Sequence, residues 1–172
     1  YEGVWSRFKP ERGKDKRGIT GVSSEKIKKI GEKITSTPKI FNAHPTLKKI
    51  FDNIDKKKAL VVGSGYMIQL AIKYLQSNGV TDITLTNRNY EKGSKIAKDN
   101  DCRYSKLQYL PNIIPSQDIV ITCTSSSIPI VGKGMIESSI SNSNVKPIVM
   151  IDLGVPRDIE PEIISLDNIY LY

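Results

Sequence analysis

The chain has 172 residues, 38% of them hydrophobic and 26% charged, enough for one domain with a real core plus an extension. Its longest apolar runs are only a few residues, which excludes a membrane-spanning helix, and no basic-then-apolar leader opens it. The net charge of +8 is uneven: residues 1–58 hold 16 Lys and Arg against 7 Asp and Glu, whereas residues 59–172 hold 10 against 11.

In chain order, residues 1–22 are rich in Gly, Lys and Arg, with aromatics only at Tyr1, Trp5 and Phe8, and the stretch Lys9–Gly18 lacks hydrophobic periodicity, so it reads as a mobile segment. A first helix is expected from Ser23 or Ser24, carrying Ile27, Ile30 and Ile34 and ending at Pro38. A second starts at Pro45 or Thr46 and carries Leu47, Ile50, Phe51 and Ile54. These residues, 1–55, form a basic N-terminal segment, with residues 56–172 as the main domain. A basic arm attracts nucleic acid by releasing counterions; a solvated lysine-rich helix face has the same composition. The chain has no starting Met and stops after an apolar segment at Tyr172, so it reads as a piece of something longer.

From Lys58 the rhythm changes to alternating strands and helices, the signature of a parallel sheet covered on both faces. Strands are expected at 58–62, Ile83–Thr86, 103–105, Asp118–Thr124, Pro147–Asp152 and 168–172. Helices are expected at about 66–77, 90–99 and 132–141, with an irregular piece around Leu107, Leu110 and Ile113 and a Ser-rich loop over 138–144. The first helix shows Met67, Leu70, Ala71, Tyr74 and Leu75 as its apolar pattern and closes at Asn78-Gly79.

The stretch Ala59-Leu-Val-Val-Gly-Ser-Gly-Tyr-Met-Ile68 is strand, Gly-rich turn, helix. Gly63 permits a tight turn, and Gly65, lacking a Cβ, lets the backbone approach a pyrophosphate at a helix N-terminus. An ordinary βα turn without a ligand has the same short pattern, so the other strand ends matter. The second strand ends in Asn87-Arg88-Asn89, where an NAD site places a carboxylate; Arg offers a planar fork for a 2′-phosphate, which points to NADP. A polar turn into the next helix is the plainer reading of that stretch. Thr124, Ser125 and Ser126 follow the fourth strand, and Leu153-Gly154 the fifth.

Residues for acid, base or nucleophile are few. His44 is the only His and suits a helix-entry turn; Cys123 reads as a small buried hydrophobe and Cys102 as an exposed spectator. Neither Cys lies in a Cys-x-x-Cys or other metal spacing, which points away from zinc and disulfides and towards a reducing, cytoplasmic setting. No catalytic constellation emerges.

Ser127-Ile-Pro-Ile-Val-Gly-Lys-Gly-Met135, Ile151-Asp-Leu-Gly-Val-Pro-Arg-Asp-Ile-Glu-Pro-Glu162 and Leu166-Asp-Asn-Ile-Tyr-Leu-Tyr172 resemble glutamyl-tRNA reductase. The Gly-Ser-Gly-Tyr-Met turn and Asn87-Arg88 fit the same resemblance, which covers about residues 56–172. It implies a Rossmann-type, doubly wound α/β sheet that binds NADPH. It also implies an enzyme that reduces glutamate esterified to tRNA, through a thioester on a Cys of a separate domain, to glutamate-1-semialdehyde in tetrapyrrole synthesis. Glutamyl-tRNA, a homodimer partner and glutamate-1-semialdehyde aminotransferase are the implied partners. Gly63, Ser64, Gly65, Tyr66, Met67 and Ile68 would line the pyrophosphate turn. Asn87, Arg88 and Asn89 would line the 2′-phosphate end, and Thr124, Ser125, Leu153 and Gly154 the nicotinamide side.

The chain departs from that family at Ile68, where Gly is usual and where bulk should set helix and strand apart. It departs again at Asn89, where Thr is common. The family's nucleophilic Cys and its dimerisation domain have no counterpart here, so this chain alone is expected to be inactive. Two other readings stay open: a self-contained NADP reductase of the shikimate or precorrin dehydrogenase type, and an RNA-binding module using the basic segment.

Overall fold

A computed structural model describes residues 54–140 and 146–172. The basic segment, with its two expected helices and His44, lies outside the described residues except for its last two positions. Six parallel strands form one sheet: β1 (Lys58–Val62), β2 (Asp82–Asn87), β3 (Arg103–Lys106), β4 (Ile119–Thr122), β5 (Ile148–Asp152) and β6 (Ile169–Leu171). Their order is β3-β2-β1-β4-β5-β6. The chain direction across the sheet therefore reverses between β1 and β4, the switch point at which such sheets bind ligands. The helices are α1 (Tyr66–Ser77), α2 (Tyr90–Asp99), the single turn α3 (Leu110–Ile113) flanked by 3-10 turns, and α4 (Lys133–Ile140).

The sheet is central because its inner strands β1, β4 and β5 are apolar on both faces. Ala59, Leu60, Val61 and Val62 are all fully buried. Ala59 and Val61 join Ile83, Leu85, Ile119, Ile121 and Val149 beneath Ile68, Ala71, Ile72 and Leu75 of α1 and Ala97 of α2. Leu60 and Val62 face the other way, with Val120, Ile148, Met150, Leu110, Ile114, Ile136 and Ile163. Each fully buried aliphatic side chain contributes about 1.5–3 kcal/mol, so the two layers dominate the stability of the fold.

Four expectations need correction. The buried stripe of α1 is Ile68, Ala71, Ile72 and Leu75, whereas Met67, Leu70 and Tyr74 are only partly buried. Both sets have helical spacing, and the fit against the sheet selects one. β4 is shorter than Asp118–Thr124. The Asp118 carboxylate accepts the Lys58 N–H at 2.9 Å, terminating the strand's entry, and Thr124 turns away to bond Asp158. Ser138 and Ser139 belong to α4, their hydroxyls donating to the carbonyls of Gly134 and Met135, both at 2.7 Å. Residues 141–145 of the expected Ser-rich loop lie outside the described residues. Cys102 is half-buried and packs against the α1 side of the core, because its turn folds back onto α2 through Cys102 N–H to the Ala97 carbonyl at 2.8 Å.

Candidate functional site

The carboxyl ends of the four central strands meet at one rim, held by backbone bonds. Gly63 N–H donates to the Thr86 carbonyl at 2.9 Å, Cys123 N–H to the Val62 carbonyl at 3.0 Å, and Leu153 N–H to the Thr122 carbonyl at 2.8 Å. All the strand-end residues singled out in the sequence therefore fall on one edge of the sheet.

The two glycines of the turn serve different needs. Gly63 has φ +126°, and a Cβ there would lie 2.3 Å from the Cys123 carbonyl oxygen, so the fold itself requires glycine. Gly65 has φ −79°, and a Cβ there would meet nothing within 4 Å. The fold leaves open space at Gly65. It is the N-cap of α1, where no side chain caps the helix and no acidic residue stands in the first turn. The opening N–H groups of this 12-residue helix thus face the rim with a favourable dipole for an anion. Tyr66 and Met67 are partly exposed. The Ile68 side chain is wholly buried under α1, so only its backbone can face a ligand. Its bulk is accommodated over Gly63, where a Cβ would lie 3.2 Å from Ile68 Cγ1.

At the end of β2, Asn87 Nδ2 donates to the Asn89 carbonyl at 3.0 Å, and Asn89 Oδ1 accepts the Lys92 N–H at 2.9 Å as the N-cap of α2. Asn89 thus does a capping Thr's work, and its side-chain oxygen is committed to the helix. The Tyr104 hydroxyl donates to the Asn87 carbonyl at 3.0 Å, pinning the turn from β3. Arg88 projects from this pinned turn, exposed and with no ion pair among the described residues.

The other side of the rim rests on two aspartates that the sequence reading passed over. Asp152 accepts four bonds: from the Thr122 hydroxyl at 3.2 Å, Gly154 N–H at 2.9 Å, and the N–H groups of Asp158 and Ile159, both at 3.0 Å. Asp158 is fully buried and accepts the Thr124 N–H at 2.7 Å together with the Thr124 hydroxyl. The one sequence signal for them was their place in the Asp-Leu-Gly-Val-Pro-Arg-Asp stretch. Ser125 is exposed, Leu153 half-buried and Gly154 buried.

Cys123 sits at this rim with its thiol directed at the Leu153 carbonyl, 3.6 Å away. Burial, with Asp158 and Asp152 nearby, pushes the thiol up from near 9 to about 11. Burial, with Asp101, does the same to Cys102, also to about 11. Both thiols stay protonated at neutral pH, so neither is an activated nucleophile. Because the folded chain holds these protons more tightly than the unfolded one, stability should fall as pH rises from about 9 to about 11. Melting temperatures across that range, compared with a Cys102→Ala/Cys123→Ala double variant, check this. An equally steep fall in the double variant would assign the loss to other groups.

With the rim in view, the chain can be set beside known proteins. A family model described as Shikimate / quinate 5-dehydrogenase matches residues 46–172. The chain belongs to that family. Within it, the resemblance to glutamyl-tRNA reductase holds. The chain is 40% identical over 132 residues to the glutamyl-tRNA reductase of Halorhodospira halophila, covering 77% of this chain and 29% of that protein. It is 41% identical over 124 residues to that of Vesicomyosocius okutanii, covering 72% and 30%. The chain therefore spans about three-tenths of the length of these relatives. The glutamyl-tRNA reductase structure from Methanopyrus kandleri superposes with a TM-score of 0.69 at 23% identity, over 74% of this chain and 32% of that one. The nucleotide binding domain of the Thermoplasma volcanium enzyme gives 0.54 at 21%, over 78% and 83%. These likenesses agree with the Rossmann-type sheet described above. Among the described residues no helix is long and apolar enough to cross a membrane.

Proposed function

We propose that this chain is the NADPH-binding part of a glutamyl-tRNA reductase, holding the hydride donor for reduction of an enzyme-bound glutamyl thioester to glutamate-1-semialdehyde. The observation that carries this reading is the uncapped N-terminus of α1 beside the open Gly65, with the exposed Arg88, which has no ion pair among the described residues, on the neighbouring strand end. Those residues fit a dinucleotide carrying a 2′-phosphate. Space for a pyrophosphate exists where the fold does not need it, and a cation stands where an NAD site has a carboxylate.

When bound, NADPH supplies the hydride. The chain's own residues bind and orient. The turn Gly63-Ser64-Gly65 and the backbone N–H groups of Tyr66, Met67 and Ile68 hold the pyrophosphate. Arg88, on the turn set by Asn87 and Asn89, pairs with the 2′-phosphate. Thr124, Ser125 and the Leu153-Gly154 turn border the nicotinamide side. The nucleophilic Cys of a separate domain, which the resemblance implies, belongs to this proposal; burial raises both thiols of this chain to about 11, which suits neither to that role. Glutamyl-tRNA, the homodimer, the aminotransferase partner and a cytoplasmic setting are part of the same proposal.

Calorimetric titration with NADPH and NADH tests it. Arg88→Ala should weaken NADPH about ten- to hundredfold, towards the NADH value, while leaving NADH unchanged. Equal affinity for the two cofactors in the parent chain would remove the 2′-phosphate role. The family match favours a second reading, a self-contained reductase of the shikimate dehydrogenase type. Turnover of shikimate by this chain with NADP would decide for it. The RNA-binding reading rests on residues outside those described; RNA affinity that falls steeply with salt would support it.

A further inference from the structure

We propose that Asp158 is a positioning residue for the nicotinamide half of the cofactor site, acting through Thr124 rather than touching the ligand. This rests on the NADPH reading above and assigns a division of labour within it.

Asp158 is the point at which three loops of the rim are joined. Its buried carboxylate takes both the N–H and the hydroxyl of Thr124, fixing the loop that leaves β4. Its Oδ2 lies where a Cβ on Gly154 would stand 2.6 Å away, so the loop leaving β5 is fitted around it. Its backbone carbonyl accepts the N–H groups of Ile130 at 2.8 Å and Val131 at 3.0 Å, drawing in the segment before α4. The residue that fixes Asp158 in turn is Asp152, through the Asp158 N–H.

The Thr124 hydroxyl has no donor left for a ligand. It donates to Asp158 Oδ1 and accepts the Ser126 N–H at 3.2 Å. A hydroxyl has one proton, so this side chain is a strut. What it holds in place is the main chain at Thr124 and Ser125, the part of this loop that can face the nicotinamide. By contrast, the 2′-phosphate turn is held by Asn89 and Tyr104, with no bond to Asp158 among the described residues. The two halves of the site have separate supports.

The test compares two ligands, NADPH and adenosine 2′,5′-bisphosphate, which has the adenine and phosphate groups but no nicotinamide. Binding is measured by calorimetry on the parent chain, Asp158→Asn, Thr124→Val and Thr124→Ser, well below each melting temperature. Thr124→Val should weaken NADPH about tenfold and change the bisphosphate less than twofold, and Thr124→Ser, which keeps the hydroxyl, should recover most of the loss. Asp158→Asn should show the same selectivity, and Thr124→Val keeps the test open if that variant fails to fold. Equal losses for both ligands would make Asp158 an ordinary core strut and overturn the proposal, as would no loss for either. A parent chain that binds neither ligand would remove the cofactor reading itself and this assignment with it. A parent that binds the bisphosphate and NADPH with equal affinity would overturn the assignment alone.

Discussion

Gly63→Ala should destabilise the domain by about 3 kcal/mol or more, and Gly65→Ala by less than about 0.5 kcal/mol. At Gly63 two costs combine. Its φ of +126° is a conformation that an L side chain rarely adopts, and the added methyl would sit 2.3 Å from the Cys123 carbonyl oxygen. That carbonyl cannot retreat cheaply, because Cys123 N–H is bonded to Val62 across the β1–β4 junction. Nor can Ile68, fully buried on the other side of the same methyl. At Gly65 neither cost arises, since φ is ordinary and no atom lies within 4 Å of the added carbon. Yet, on the proposed NADPH reading, Gly65→Ala should weaken NADPH about tenfold, because the methyl would enter the open space proposed for the pyrophosphate. Urea unfolding and calorimetric titration on both variants separate a glycine kept for the fold from one kept for the ligand. An unaltered NADPH affinity in Gly65→Ala would place the pyrophosphate elsewhere.

Asp152→Ala should cost about 3 kcal/mol, because one side chain satisfies four donors. Three of these are backbone N–H groups of the loop after β5, which lose their acceptor once the carboxylate is gone. Asp152 is only half-buried, so water recovers part of the loss, and the figure stays well below four full hydrogen-bond penalties. Asp152→Asn should recover roughly half, since its oxygen still accepts while its NH2 group is set against other donors. The urea midpoints of the two variants give the comparison. A midpoint for Asp152→Ala equal to the parent's would mean that the loop's order is independent of this carboxylate.

The contrast between these predictions shows which parts of the molecule were legible in advance. β1 was, because four consecutive apolar residues followed at once by glycine suit little other than a buried strand and a tight turn. The rim was, because the ends of parallel strands must share one edge of a sheet. The stripe of α1 was misphased: Met67, Leu70 and Tyr74 repeat at helical spacing as well as Ile68, Ala71 and Leu75 do. The rotation that decides between them depends on Ile68 fitting over Gly63, a tertiary contact. Ile68 looked like a departure that would push helix and strand apart, and it is part of the core. The aspartate network was illegible for a related reason. Thr124 and Asp158 are 34 positions apart, and no local pattern announces that pairing. At Asn89 the short polar residue is already accounted for by its capping of α2, a role that a comparison with the family's Thr does not bring out.

The strand order has a consequence during synthesis. β1 lies between β2, which follows it after α1, and β4, whose entry at Asp118 comes 60 residues after Lys58. At roughly 5–20 residues per second, a ribosome takes several seconds to cover that interval. Throughout it, a strand that is fully buried from Ala59 to Val62 in the finished domain has one hydrogen-bonding edge without its native neighbour. Such an edge can pair with the same strand of another nascent chain. Translation speed between residues 62 and 119, and the protection of that edge by ribosome-associated chaperones, should therefore govern the yield of folded protein more than the stability of the finished domain does.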